Sequence, residues 1–220
     1  GPAGSASNLP AWCPRAANLA SLDAFEAGVL DEDSPTRPIT LYAACKLALG
    51  LIGRHLADAA GARFAWGRIF YLYGPEEDPR RVVPAAIQAL SGNKPFDATS
   101  GEQVRDYLHV EDVASAFLLL AERGGNGVYN ICSGEAVTLR QLLETIGDLT
   151  GRRKLIRFGA APPRFGDPAS VVGDSLRLRE FGWAPRFALE EGLRHTLRLE
   201  AGEHGLLEGH GLACDDVHHG

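Results

Sequence analysis

The sequence predicts an α/β fold with parallel strands, and three observations carry that reading. A helical pattern behind Thr40 runs into a buried-strand pattern over Phe64 to Tyr73, and strand after helix with continuous apolar character suggests a parallel sheet. Helix and strand signals then keep alternating to about Glu200. Of the 220 residues, 45% are apolar and 23% charged, an ordinary balance for a soluble chain with length for one domain, or one large and one small.

Pro2, Pro10 and Pro14 interrupt any regular pattern in residues 1–30. Asp31-Glu32-Asp33-Ser34-Pro35-Thr36-Arg37-Pro38 is a polar loop stiffened by proline, and Thr40 suits a helix N-cap. A helix of about twenty residues follows to Ala60, with Leu47, Leu51 and Leu56 at helical spacing, Ile52 beside them and Gly61 as the stop. Phe64 to Tyr73 reads as a single buried strand closed by Gly74-Pro75. Arg81 to Leu90 is a helix, Ser91 to Pro95 a turn, and Val104 to Leu108 a short strand. Glu111 to Glu122 is an amphipathic helix with Val113, Phe117 and Leu120 on one side. Val128 to Cys132 is a strand stopped by Ser133-Gly134. Thr138 caps a helix from Leu139 to Leu149, and after a looser stretch the last helix spans Leu189 to about Glu200. Ala201 to Gly220 has little to bury and reads as a disordered tail. Its His204, His210, Cys214, His218 and His219 match no structural zinc spacing.

Several functions are excluded at this level. A net charge of −6 with scattered basic residues argues against nucleic acid as a partner. No apolar run approaches the roughly 18 residues that span a bilayer, and there is no signal-peptide pattern. Cys13, Cys45, Cys132 and Cys214 have neither metal-site nor CxxC spacing, so a reduced, cytoplasmic setting is expected. The start at Gly1-Pro2 and the absence of methionine suggest a processed, cut or misread product, or a tag scar.

Chemistry concentrates in Tyr42-Ala-Ala-Cys-Lys46. Residues four apart share a helix face, so an ammonium stands one turn from a phenol. A free tyrosine titrates near ~10 and is a poor base at neutral pH. A fixed cation beside it favours the phenolate, which can then exchange a proton with a sugar or alcohol hydroxyl while hydride moves elsewhere. Cys45, inside the motif, reads as a small packed side chain.

Further motifs follow in order: Arg68-Ile-Phe-Tyr-Leu-Tyr73-Gly74-Pro75, Gly101-Glu-Gln-Val-Arg105-Asp106-Tyr107-Leu-His-Val-Glu111-Asp112-Val113, Val128-Tyr-Asn-Ile-Cys-Ser-Gly134, Pro163-Arg164-Phe-Gly-Asp167-Pro168 and Phe181-Gly-Trp183-Ala-Pro185. Together with Asp31 to Pro35 and the Tyr-Lys pair, they make the stretch from about Asp31 to Glu200 resemble the extended short-chain dehydrogenase/reductase family, the NAD-dependent nucleotide-sugar epimerases and dehydratases.

The resemblance implies the later part of a Rossmann-like doubly wound parallel sheet with a smaller substrate-binding domain. Residues 1–75 would be the remainder of the NAD(P)-binding domain, and 76–200 a nucleotide-sugar domain with segments returning to the sheet. Tyr42 would be the catalytic acid/base, with Lys46 tuning it and holding the nicotinamide ribose. Arg105 and Arg164 would grip the substrate diphosphate, since planar guanidinium groups offer paired donors to phosphate; the plainer role for Arg105 is an ion pair with Asp106. Phe70 and Tyr71 would lie near nicotinamide and sugar, although core packing suits Phe70 equally, and many relatives have asparagine in place of Tyr71. His109 could approach the substrate or serve as a half-buried structural histidine.

Two expectations concern what the family has and this sequence lacks. No Gly-x-x-Gly-x-x-Gly occurs, the pattern that meets a dinucleotide pyrophosphate, so the chain reads as lacking its N-terminal dinucleotide-binding part. The catalytic serine or threonine falls some two dozen residues before the tyrosine, where Ser21 is the nearest hydroxyl. Asp23 and Glu26 are out of place for the paired acids of sugar dehydration, which disfavours that reaction. The implied activity is an NAD(P)-dependent nucleotide-sugar epimerase or 4-ketoreductase using NAD or NADP, with a homodimer through the Tyr-Lys helix. A non-catalytic remnant that binds a nucleotide sugar or a partner is the alternative.

Overall fold

The computed structural model describes residues 15–18, 28–163 and 167–202. In chain order these form β1 (Arg15–Asn18), β2 (Val29–Leu30), α1 (Leu41–Ala59), β3 (Ala65–Ile69), β4 (Tyr71–Tyr73), α2 (Val82–Ser91), β5 (Phe96–Ala98), β6 (Val104–Arg105) and β7 (Tyr107–His109). There follow α3 (Val110–Glu122), β8 (Gly127–Ile131), β9 (Val137–Thr138), α4 (Leu139–Leu149), β10 (Ile156–Phe158), β11 (Ser170–Gly173), α5 (Leu176–Glu180) and α6 (Leu189–Glu200). No helix among these residues is long and apolar enough to cross a membrane.

A parallel sheet of β1, β3 and β8 forms one layer, with β3 in the middle. The strand pattern over Phe64 to Tyr73 is two strands, not the single one expected. Phe70 N still donates to Ile131 O, but Tyr71 N donates to Asp106 O, so β4 leaves β8 and pairs with β7. The same residue divides Val104 to Leu108, expected as one strand: β6 pairs with β11 and β9, while β7 pairs with β4. Strands β2 and β11 pair in parallel, as do β5 and β10.

Asp106 sits at this division, fully buried. Its carboxylate accepts from Ser133 N at 2.8 Å, Ser133 Oγ at 2.7 Å, Gly134 N at 2.9 Å and Gly173 N at 3.2 Å. One side chain thus ties β7 to the end of β8 and the end of β11. Burial pushes its pKa up, and these donors hold it down.

Helix α1 begins where Thr40 predicts it, with Thr40 Oγ1 accepting from Ala43 N at 3.1 Å. Its packing face differs from the expected leucine stripe. Leu51, Ile52 and Leu56 are exposed, and Ala43 is the buried residue of the helix. Gly50 and Gly53 approach the sheet instead: a Cβ there would stand 2.9 Å from the Trp66 ring and 2.6 Å from the Phe64 ring. Two bulky aromatic rings meet two missing side chains, so small residues, not leucines, define the contact.

Beyond the first layer, α2, α4 and α6 enclose a core of Tyr73, Ile87, Leu90, Leu142, Ile146 and Leu193. A second core joins Leu108, Leu120, Tyr129, Ile131, Leu178 and Trp183. Thr138 caps α4 as expected, and Gln141 completes a capping box with it. Residues 203–220, with the tail histidines, lie outside the described residues.

Between β4 and α2, Glu77 packs with a side chain 14% exposed, 3.8 Å from Arg81 Nε. Its Oε2 is buried without a hydrogen-bond partner. Burial pushes the carboxyl up to about 7, Asp78 and Glu200 adding to the rise and Arg81 opposing it. A pKa raised on folding gives stability that is complete below about pH 4.5 and lost as pH rises through about 7.

Two stability measurements check these points. Asp106→Ala leaves three N–H groups and a hydroxyl without their acceptor, and should lower the unfolding free energy by about 2–4 kcal/mol in urea titrations; a loss below about 1 kcal/mol would contradict the tie described. Glu77→Gln should match the wild type near pH 5 and exceed it at pH 8 by on the order of 2 kcal/mol. Equal stabilities at pH 8 would count against the buried charge.

Candidate functional site

Tyr42 and Lys46 occupy the first turns of α1, and Lys46 Nζ stands 5.6 Å from the centroid of the Tyr42 ring. Tyr42 is 52% exposed. The helix contact with the sheet locates this pair. Gly53 faces Phe64 and Gly50 faces Trp66, so α1 runs back along β3. Tyr42 precedes Gly50 by eight residues, about 12 Å of helix. At about 3.3 Å per strand residue, that brings Tyr42 level with Ile69 and Phe70, at the carboxyl edge of the sheet. Open α/β sheets bind ligands at that edge.

The loop leading into α1 is anchored to the same edge. Glu32, 8% exposed, accepts from Asn130 N through Oε1 at 2.8 Å, and its carbonyl accepts from Arg68 Nη1 at 3.0 Å. Asn130 Nδ2 donates to Leu30 O at 2.8 Å and Asp174 O at 3.2 Å. Burial lowers the pKa of Arg68, and the Glu32 charge opposes that. Buried polar groups thus stitch the approach of α1 to β3, β8 and β11. Cys45, expected to be packed, is exposed.

A second cluster surrounds Arg105, 3% exposed at the end of β6. Its Nη2 donates to Asp167 Oδ1 at 2.6 Å and its Nη1 to Val104 O at 2.7 Å. The guanidinium carbon lies 5.3 Å from the centroid of the Tyr71 ring, and the Tyr107 ring meets Tyr71 edge-on at 6.0 Å. Burial raises the pKa of Tyr71 while the Arg105 charge opposes the rise. Beside Asp167 lies a cavity of about 240 Å³ lined by Thr99, Ser100, Gln103, Pro163 and Pro168. A larger one, about 520 Å³, opens along α6 beside Arg186, His195 and Arg198. The smaller one is lined by Asp167, the ion-pair partner of Arg105.

The expected Arg105–Asp106 pair does not form. Neighbours on a strand point to opposite faces, so Arg105 turns to Asp167 and Asp106 to the backbone of Ser133, Gly134 and Gly173. That alternation was readable in advance, and Asp167 stood in a motif already singled out. Phe70 is 5% exposed and packs with Leu30, Cys132 and Val171. Ser21, Asp23, Glu26 and Arg164 lie outside the described residues. Strand β1, whose Asn18 pairs with Ile69, stands where no strand was expected.

His109 is 1% exposed and caps α3, its Nδ1 accepting from Glu111 N at 3.3 Å. Its ring lies 4.4 Å from that of Phe187 and 5.5 Å from that of Tyr73. Burial lowers its pKa. His195 and Glu111 bring ligand atoms within 4.8 Å of it. With Nδ1 accepting, however, Nε2 carries the proton and offers a metal no lone pair. His109 is therefore a structural cap.

Known proteins share this fold. The family described as "NAD dependent epimerase/dehydratase family" matches residues 22–132. The chain is 30% identical over 190 residues to the UDP-glucose 4-epimerase of Azospirillum brasilense, across 76% of this chain and 54% of the relative. It resembles the solved UDP-glucose 4-epimerase of Thermotoga maritima with UDP-glucose at 28% identity and a TM-score of 0.81, over 88% of this chain and 64% of that one. It also resembles that of Thermus thermophilus complexed with NAD, at 28% identity and a TM-score of 0.76, over 86% and 64%. The chain spans about half the length of the curated relatives it matches. Since the family match covers half its residues, the chain belongs to the NAD dependent epimerase/dehydratase family.

Proposed function

We propose that the chain supplies the acid/base pair and the diphosphate grip of an NAD(P)-dependent nucleotide-sugar epimerase or 4-ketoreductase. The observation that carries this reading is the placement of Lys46 Nζ 5.6 Å from the Tyr42 ring, in an exposed helical turn at the carboxyl edge of the sheet. The relatives named above support a nucleoside-diphosphate sugar as substrate, one being solved with UDP-glucose and another with NAD.

The residues present suit the nicotinamide ribose: a phenol and an ammonium share one exposed helix face, where a sugar diol finds both a donor and an acceptor. A bound nicotinamide would supply the hydride exchange at sugar C4. Tyr42 then takes the proton of the 4-hydroxyl as the C4 hydride departs, and returns it when hydride comes back. Lys46, one turn away on the same helix, reaches the nicotinamide ribose. Arg105 holds the diphosphate, whose oxygens compete with Asp167 for the same N–H. Phe70 acts by holding the strand that carries Tyr71 in the core. The exposed Leu51, Ile52 and Leu56 suit a second copy of the chain packed along α1.

The buried, ion-paired Arg105 also fits a second reading, a binding module without redox turnover, in which the Tyr42–Lys46 pair carries no reaction. Calorimetric titration with NAD and NADP separates the two. Stoichiometric binding supports the enzyme, and none at millimolar cofactor leaves the binding module. In the enzyme, Tyr42→Phe should lower turnover of a nucleoside-diphosphate sugar by about a hundredfold or more while sugar-nucleotide affinity stays within about twofold. Lys46→Met should reduce both turnover and cofactor affinity. Undiminished turnover in Tyr42→Phe would remove the phenol from the reaction.

A further inference from the structure

Arg105 is held on three sides, and the three contacts differ in what an incoming anion can do to them. Asp167 binds Nη2 at 2.6 Å, and its side chain is 32% exposed against 4% for Arg105. A diphosphate is an anionic acceptor of the same kind and competes directly with that carboxylate. The Val104 carbonyl, adjacent in sequence, takes one Nη1 proton at 2.7 Å. Tyr71 meets Arg105 twice over, with its ring centroid 5.3 Å from the guanidinium carbon and its hydroxyl in hydrogen-bonding contact with the same side chain.

Tyr71 itself is set firmly. Its N–H donates to Asp106 O at 3.1 Å, it stands opposite Tyr107 in the β4–β7 register, and the Tyr107 ring backs it edge-on at 6.0 Å. Arginine has five N–H donors in one plane, and the contacts to Asp167 and Val104 use two. A firmly set phenol beside the guanidinium limits its tilt, and with it the direction of the remaining donors. Without the ring, a long flexible side chain must be ordered by the ligand itself, which weakens binding.

We propose that Tyr71 is a positioning residue for the diphosphate: its ring and hydroxyl hold the Arg105 guanidinium in place as Asp167 gives way, so that binding of a nucleoside diphosphate depends on Tyr71 through Arg105. This rests on the nucleotide-sugar reading above.

The test is calorimetric titration of the chain with UDP, GDP and dTDP. Whichever of these the wild type binds should bind Tyr71→Phe about threefold more weakly, for the lost hydroxyl contact, and Tyr71→Leu about tenfold more weakly, for hydroxyl and ring together. In an Arg105→Lys background, which keeps the charge and removes the plane, Tyr71→Leu should change affinity by less than about twofold. Thermal melts confirm folding, and Tyr71→Met, of similar bulk without a ring, replaces Tyr71→Leu if that variant does not fold. Wild-type affinity in the ring-less variant, or an undiminished tenfold loss in the Arg105→Lys background, would overturn the role of Tyr71 alone. Binding of none of the three nucleotides by the wild type would overturn the nucleotide-sugar reading and this inference with it.

Discussion

The close approach of α1 to β3 governs where everything at the head of that helix can stand. Two glycines, Gly50 and Gly53, lie against Trp66 and Phe64 at distances a Cβ could not share. Any larger residue would lift the helix from the sheet or displace a ring, and the lever arm to Tyr42 is about 12 Å. A second anchor ahead of the helix prevents rotation about the first. Glu32, Arg68 and Asn130 are all buried there, and their hydrogen bonds reach β3, β8 and β11. Between these two anchors the proposed acid/base pair has little freedom to move along the sheet edge.

The Arg105 region obeys a different constraint, that buried charge must be answered locally. Consecutive residues of opposite sign face opposite ways, Arg105 toward Asp167 and Asp106 toward backbone amides. One short stretch therefore joins the proposed diphosphate grip to the framework of the sheet. The Asp167 side chain is partly exposed, whereas Asp106 is sealed. That asymmetry suits an exchangeable pair on the cleft side and a permanent tie on the other.

Much of the fold was legible in the sequence, and the exceptions have physical reasons. Helices α1, α3, α4 and α6 came from periodicity and caps, because Thr40 and Thr138 announce their helices locally. Strands β1, β2, β5, β9, β10 and β11, of two to four residues, were missed. So few residues carry no period, and their partners are distant in sequence, as β2 and β11 show. The break at Phe70 was also hidden, because apolar continuity says that a strand is buried but not which neighbour it pairs with. In the site, the Tyr42–Lys46 proximity follows from four-residue spacing, whereas the Arg105–Asp167 pair joins residues 62 apart in sequence. Only the motif carrying Asp167 hinted at it.

The proposed function requires one ligand to reach both the Tyr42 hydroxyl and the Arg105 guanidinium. A crystal structure of the chain grown with UDP-glucose measures this directly. The account predicts diphosphate oxygens on Arg105 and the sugar 4-hydroxyl about 2.6–3.2 Å from the Tyr42 hydroxyl. A ligand whose diphosphate avoids Arg105, or whose sugar points away from Tyr42, would contradict it.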